Sequence, residues 1–307
     1  MAKSGISILG IYVVDLAFRA ARQPAMGETL IGTSFVMGPG GKGSNQAVAA
    51  ARAGADVHFM TKLGKDNFGD AGLAMYAREG ITPHAPQDSS NSTGAAYIFL
   101  DEITGSNAII VVPGAAGTIT VDDVEAAKAV IINSQIFMTQ LEQPIAAARR
   151  GLQIAKAAGT STIFNPAPAA MLDEAIYPLC DYITPNETEA AMLTGVSVND
   201  LASARKAAAI FVAKGAGAAL ITLGAQGALL HSKTQSLHIP ITPAGPVVDT
   251  SGAGDAFNGG FAAALTRGET PHAAAIFASA VAGLSVTRPG TAASMPYLVE
   301  VTRLLQR

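Results

Sequence analysis

Short, almost uninterrupted apolar runs alternate along the chain with stretches whose apolar positions recur at helical spacing. Strands are predicted at Ile6–Val14, Val57–Lys62, Ile136–Thr139, Ser161–Asn165, Tyr182–Thr184 and Ala218–Thr222. Helices are predicted at Ser44–Ala53, Gly69–Glu79, Val121–Val130, Ile145–Ala158, Glu187–Leu193, Leu201–Lys214, Asp255–Thr266 and Pro271–Val286. Apolar strands separated by amphipathic helices indicate an α/β protein whose parallel sheet is covered on both faces. Two stretches break the alternation. Asp15–Phe35 carries Pro24 and the turn-like Met26-Gly27-Glu28. Thr93–Val112 reads as a hairpin with strands Ala95–Leu100 and Ala108–Val112 around a turn at Asp101–Ser106. Both fit a small β appendage, and both fit plain surface excursions.

Composition narrows the class. With 49% hydrophobic and 14% charged residues the chain is no disordered protein. A length of 307 residues allows two domains of ~150 residues or one larger α/β unit with an appendage. No low-complexity linker divides it. Net charge is −3, and without a Lys/Arg run no nucleic-acid partner is expected. The early apolar run stops at Asp15, too short for a membrane span or a secretory leader. A single cysteine, Cys180, makes no internal disulfide and points to a reducing compartment, so a soluble cytoplasmic protein is expected. Cys180 itself is expected to be a buried small residue. The histidines His58, His84, His231, His238 and His272 have no metal-ligand spacing.

Two glycine-rich segments carry candidate chemistry. Gly38-Pro39-Gly40-Gly41-Lys42-Gly43 has the spacing of a dinucleotide fingerprint. The strand after it ends in Lys62-Leu63-Gly64, however, where such a site needs an acid for a ribose hydroxyl. A Walker A loop also fails, since Val36 and Gly43 stand where Gly and Ser/Thr are required. What remains is a turn bringing backbone close to a small ligand, followed by the hydrogen-bonding residues Ser44, Asn45 and Gln46. A tight strand–helix connection needs the same glycines. The second segment, Asp249-Thr250-Ser251-Gly252-Ala253-Gly254-Asp255, places bare amides at a helix start, where free N–H groups and the helix dipole favour an anion. Asp255 in that first turn is either a simple dipole-favouring acid or a base for a hydroxyl attacking a phosphoryl group.

Together with Asn165-Pro166-Ala167-Pro168-Ala169, Thr184–Glu189 and Thr222–Gly227, these segments resemble the phosphofructokinase-B-type carbohydrate kinases, in their ribokinase branch, over nearly the whole chain. The resemblance implies one domain over 1–307: a three-layer α/β/α fold with a mostly parallel sheet and a small β lid formed by about 12–35 and 93–112. It implies an ATP-dependent kinase acting on a primary hydroxyl of a pentose, D-ribose first, with another furanose or a nucleoside as the alternative. Asp255 resembles the general base, and Gly252, Ala253 and Gly254 the anion hole. Asp15, Gly41, Lys42, Gly43, Ser44, Asn45 and Glu142 resemble the sugar set. Asn186, Thr222, Leu223, Gly224, Ala225, Gln226, Gly227, Gly254 and Ser279 resemble the ATP set. Glu189 resembles a glutamate that organises Mg2+ through waters. Asp249, Ser251, Ser285, Arg288, Gly290 and Ser294 resemble a monovalent-cation site, usually for K+, with several contacts from backbone carbonyls. A homodimer through the lid is also implied. The chain departs from the pattern where Val13 and Ala116 stand in place of asparagines, which opens a deoxy sugar, a ring-modified pentose or another furanose beside ribose; compensation by Tyr12 or a water keeps ribose the first expectation.

Overall fold

Buried apolar runs set the centre of the molecule. The computed structural model describes residues 3–306. In chain order its strands are β1 (Ile6–Leu9), β2 (Val13–Ala20), β3 (Ser34–Gly40), β4 (Val57–Met60), β5 (Leu63–Gly64), β6 (Thr82–His84), β7 (Gln87–Asp88), β8 (Thr93–Asp101), β9 (Asn107–Gly114), β10 (Ile136–Thr139), β11 (Ser161–Phe164), β12 (Tyr182–Ile183), β13 (Ala218–Thr222), β14 (Ala228–Ser232) and β15 (Ser236–Ile239). The helices are α1 (Lys42–Arg52), α2 (Asn67–Glu79), α3 (Val121–Ala126), α4 (Lys128–Asn133), α5 (Ile145–Ala157), α6 (Glu187–Thr194), α7 (Leu201–Ala213), α8 (Ala253–Thr266), α9 (Pro271–Ser285) and α10 (Leu298–Leu305).

Nine strands form the main sheet in the order β15-β14-β13-β12-β11-β10-β1-β4-β6. Pairing is parallel from β13 to β6, and β14 and β15 add on antiparallel at one edge. Side chains of α1, α8, α9 and α10 pack on one face around Phe59, Phe261 and Val281. Those of α3 to α7 pack on the other around Phe137, Phe164 and Phe211. The three-layer α/β/α arrangement expected from the alternation is therefore present. The two excursions supply a separate four-stranded sheet, β3-β2-β8-β9, with β2 and β8 parallel and both outer pairs antiparallel.

Several boundaries differ from the sequence reading. Ile6–Val14 is not one strand. It breaks at Gly10, and Val13 opens β2 of the small sheet, opposite Gly40 and Gly94. Only glycine fits at the break, since a Cβ at Gly10 would lie 2.7 Å from the Gly43 Cα. Gly38, Pro39 and Gly40 belong to strand β3, not to a free turn, and α1 begins at Lys42. The stretch Val121–Val130 is two helices, α3 and α4, joined at Ala127. No helix is long and apolar enough to cross a membrane among the described residues.

Candidate active site

The carboxyl ends of the parallel strands converge with the amino ends of α1 and α8, the crevice where open α/β sheets bind ligands. Both helices start on a glycine with positive φ, Gly41 at +89° and Gly252 at +73°, and neither start has a side-chain cap. Their first amides are thus left for other partners. The helices meet at backbone distance. A Cβ at Gly259 would stand 2.6 Å from both the Gln46 carbonyl oxygen and the Ala49 Cβ. This close approach, one turn beyond Asp255, carries the carboxylate to the side chains of α1.

Asp255 is buried in the first turn of α8. Its Oδ2 accepts from Asn45 Nδ2 at 2.9 Å and its Oδ1 from Gln46 Nε2 at 3.0 Å. Burial raises its pKa, while the Lys42 charge and these two amide donors hold it down. Three more carboxylates surround the same point. Asp15 lies against Gly40, where a Cβ would come within 2.1 Å of its Oδ1. Burial pushes its pKa up to about 6, opposed by the Thr291 hydroxyl and aided by Asp255. Glu142 Oε2 accepts the Lys42 amide at 2.7 Å, and desolvation lifts it to about 7 against the pull of Lys42. Glu189, in the first turn of α6, is also raised by burial, and its Oε2 accepts the Asn186 amide at 2.8 Å. Lys42 is the cation among them, its pKa raised first by Asp255. One ammonium amid four carboxyls suits a ligand presenting hydroxyls, because an acid accepts hydrogen bonds without requiring charge.

A cavity of about 160 Å³ opens in front of α8, lined by Lys42, Asn186, Glu189, Thr222, Gly252–Asp255 and neighbours. A Cβ at Gly254 would meet nothing within 4 Å, so the space before the helix is open. A larger cavity, about 290 Å³, lies elsewhere, lined by Leu9, Met60, Lys62, Ile119 and Val124 among others, and holds none of these groups.

The structure brings Asp15, Gly41–Asn45, Glu142 and Asp255 together around the start of α1, and Asn186, Glu189, Thr222 and Gly252–Gly254 around the smaller cavity. Leu223–Gly227 and Ser279 are not among the residues lining it. They meet along residues 239–242: the Ser279 hydroxyl donates to the Pro240 carbonyl, and Gly227 packs against the Ile239 carbonyl. Asp249 ties two loops together by accepting the amides of Ser251 and Gly290 at 2.8 and 2.9 Å. Ser285 and Ser294 are buried nearby in sequence, but the Arg288 side chain turns away to pair with Glu300. Only its backbone is left for a cation. Among the described residues no group of three or more His, Cys, Asp or Glu side chains is arranged to hold a metal. Any cation at the Asp249 loop would rest on carbonyls and hydroxyls. Cys180 is buried with its thiol raised by desolvation.

Sequence reasoning missed the roles of Gln46, Gln140, Asn165, Thr184 and Asn258, which surround Asp255 as buried polar side chains. Gln46, Asn165 and Thr184 stood inside segments the sequence singled out, without a role toward Asp255; Gln140 and Asn258 were marked only by their polarity.

The model for "pfkB family carbohydrate kinase" matches residues 3–298. A ribokinase from Haemophilus influenzae is 39% identical over 302 residues, covering 98% of each chain. A deoxyribokinase from Salmonella typhi is 36% identical over 302 residues with the same coverage. Among solved structures, Arabidopsis thaliana ribokinase complexed with ribose and ATP superposes with a TM-score of 0.91 at 29% identity over the full length of both chains. The ribokinase of Thermotoga maritima gives 0.90 at 35% identity, over 99% of this chain and 100% of that one. With a buried carboxylate at a glycine-led helix start and a family match spanning almost every element, this chain belongs to the pfkB family of carbohydrate kinases.

Proposed function

We propose that the protein transfers the γ-phosphate of ATP to the primary hydroxyl of D-ribose, giving ribose 5-phosphate and ADP. The observation that carries this reading is Asp255: a buried carboxylate, oriented by two amides, at the open amino end of α8. Full-length similarity to proteins named ribokinase supports the sugar.

In this reading Asp255 accepts the hydroxyl proton as the sugar oxygen bonds to the γ-phosphorus. The bond from that phosphorus to the bridging oxygen breaks, and ADP leaves with the electron pair. The amides of Gly252, Ala253 and Gly254 stabilise the charge on the transferring group. Asp15, Gly41–Asn45 and Glu142 hold the sugar. Asn186, Thr222–Gly227 and Ser279 hold the nucleotide. Glu189 fits the role of a carboxylate that holds Mg2+ through waters, since it lines the cavity and no hydrogen bond claims its Oε1. Magnesium, when bound, supplies positive charge to the phosphate oxygens. The Asp249 loop suits a monovalent cation, K+ first, because the segment it anchors reaches Thr291, whose Cα would be 3.3 Å from a Cβ at Gly252. A cation there shapes the anion hole without touching ATP.

The four-stranded sheet is read as a lid over the sugar within one domain. By register its exposed residues Met37, Ile110 and Val112 share one face of the sheet, an apolar surface of the kind that marks association, and we assign it to a homodimer contact. The reducing environment inferred from the lone cysteine suits a cytoplasmic enzyme.

A second sugar has an observation of its own. Val13 and Ala116 are both buried in the same apolar cluster, so neither position offers a hydrogen bond to a hydroxyl. That favours 2-deoxyribose as a competing substrate, in keeping with similarity to a protein named deoxyribokinase. The test is ADP release from ATP with Mg2+ and K+, using ribose, 2-deoxyribose and a nucleoside. Ribose-dependent turnover that falls about 10²–10⁴-fold in Asp255→Asn is expected. Turnover with none of these sugars, or undiminished in the variant, refutes the reading.

A further inference from the structure

The side chains around Asp255 form a closed ring of hydrogen bonds through the buried interior. Gln46 Nε2 donates to Asp255 Oδ1 at 3.0 Å and to Asn165 Oδ1 at 3.1 Å. Asn165 Nδ2 donates to the Thr184 carbonyl at 2.7 Å. The Thr184 hydroxyl donates to Asn258 Oδ1 at 2.6 Å, and Asn258 Nδ2 donates to the Gly254 carbonyl at 2.9 Å. Gly254 is bonded to Asp255, which closes the circuit. Outside it, Gln140 Nε2 donates to Gln46 Oε1 at 2.6 Å. All six side chains are at most 7% exposed.

From this circuit we infer that Gln140 is a positioning residue which, through Gln46, fixes the direction and proton affinity of the Asp255 carboxylate. The inference rests on Asp255 being the base. Two backbone carbonyls, which only accept, orient the circuit. The Thr184 carbonyl requires the amino group of Asn165, so Asn165 presents its oxygen to Gln46. Gln46 must then present its amino group, which serves Asn165 and the carboxylate together. Its own oxygen is left needing a donor, and Gln140 supplies it. At the other end the Gly254 carbonyl fixes Asn258, whose oxygen takes the Thr184 hydroxyl. Each amide has a single orientation that satisfies its neighbours.

Gln140 is itself held. Its Oε1 sits where Cβ atoms at Gly10 and Gly43 would come within 2.6 and 2.8 Å, so this oxygen occupies a slot that only two glycines leave open. A reversed Gln140 amide would set oxygen against the oxygen of Gln46. A reversed Gln46 amide would in turn set oxygen against Asp255. The charged groups near Asp255 are Lys42 from α1, Asp15 from β2, Glu142 after β10 and Glu189 from α6. Gln140 hydrogen-bonds none of them through its side chain, so a change there reaches the carboxylate through Gln46.

The test compares pH profiles of kcat/KM for the wild type, Gln140→Met and Gln140→Glu, with Asp255→Asn as reference. Methionine keeps the length but cannot donate. Its acidic limb is expected to move up by about one pH unit, a tenfold change in the ionisation equilibrium, with KM for sugar and ATP within about twofold. Gln140→Glu faces Gln46 with a carboxylate, favours the reversed amide, and is expected to move the limb further. Thr184→Val opens the circuit elsewhere by removing one hydroxyl, and decides the matter if the Gln140 variants fail to fold. It is expected to shift the limb the same way by a smaller amount. Profiles that superimpose on the wild type in folded variants overturn the inference, even if melting temperatures fall. An active Asp255→Asn overturns the base assignment itself, a separate result.

Discussion

Replacing Gly259 with alanine tests how closely catalysis depends on the α1–α8 contact. The new Cβ would lie 2.6 Å from the Gln46 carbonyl oxygen, 2.6 Å from the Ala49 Cβ and 2.9 Å from the Ala50 amide nitrogen. None of these is the end of a flexible side chain, so no rotamer change relieves the clash. Carbon atoms settle at about 3.5–4.0 Å, so the helices must part by roughly 1 Å. Overpacking of this kind costs about 1–3 kcal/mol. Removing a glycine from a helix interior returns about 1 kcal/mol, which leaves a net loss of about 0–2 kcal/mol. The effect on activity is larger. The bonds from Asn45 and Gln46 to Asp255, at 2.9 and 3.0 Å, cross this interface, and a 1 Å parting takes both beyond hydrogen-bonding range. A base displaced by about 1 Å loses on the order of 10²-fold in kcat. Calorimetric melting and ADP release at saturating substrates measure the two effects. Gly260→Ala is the control. Its Cβ would press on Val281 of α9, 2.8 Å from a methyl carbon, on the side away from α1. That variant is expected to lose stability and keep kcat within about threefold. If Gly259→Ala keeps both its melting temperature and its kcat, or if the two variants lose kcat equally, the argument from backbone contact is wrong.

Glu142→Gln is expected to weaken sugar binding yet stabilise the ligand-free protein in alkaline buffer. The wild-type carboxyl, raised from 4.5 to about 7, contributes stability that is fully present below pH 4.5 and lost as pH rises through 7. Because the carboxyl is largely buried, the shift corresponds to roughly 3 kcal/mol. Thermal melts at pH 5 and pH 8 check this, and an equal shift at both pH values refutes it. Ile110→Lys, on the exposed apolar face of the small sheet, is expected to convert a dimer to monomer in analytical ultracentrifugation. An unchanged sedimentation coefficient removes that face from the interface.

Local patterns reveal what local interactions decide. The central strands β1, β4, β10, β11 and β13 are buried on both faces, so each shows as an apolar run. Edge strands do not. β15 reads Ser236-Leu237-His238-Ile239, with polar residues facing out, and β6 contains Pro83. The passage of the chain from the main sheet to the small one at Gly10 was hidden because Ile11–Val14 are as apolar as the strand before them. The neighbours that demand a glycine there, the Cα of Gly43 and the amide of Gln140, lie far along the chain. The site divides in the same way. Gly252 to Asp255 form one helix start, and their chemistry is readable from four consecutive residues. The hydrogen-bonded circuit behind them joins residues 119 and 209 positions apart, brought together only once the main sheet is assembled. A buried Gln or Asn in an apolar stretch signals that a partner exists, without saying where.

The two helix starts at the site show what the fold gives up for its chemistry. α2, α6, α7 and α9 begin on Asp66, Asn186, Asp200 and Thr270, each accepting a backbone amide through its side chain. Such caps contribute about 1 kcal/mol apiece. α1 and α8 begin on glycines, which have no side chain to cap with; at α1 the distant Glu142 carboxylate takes the Lys42 amide instead. Sterics forbid a cap at Gly252 in any case. Its φ of +73° disfavours a side chain, and a Cβ would lie 3.3 Å from the Thr291 Cα. Yet that backbone shape is itself set by Asp249, which accepts the amides of Ser251 on one side and Gly290 on the other. Had the loop only to end a turn and start a helix, an aspartate or serine at the cap position would do so at lower cost. A loop built so that its helix start carries no side-chain cap and faces an open cavity, beside a carboxylate whose burial opposes its charge, is stabilised most when an anion and a proton donor arrive together. A phosphate donor and a sugar hydroxyl supply those two at once, and the uncapped state is the cost of waiting for them.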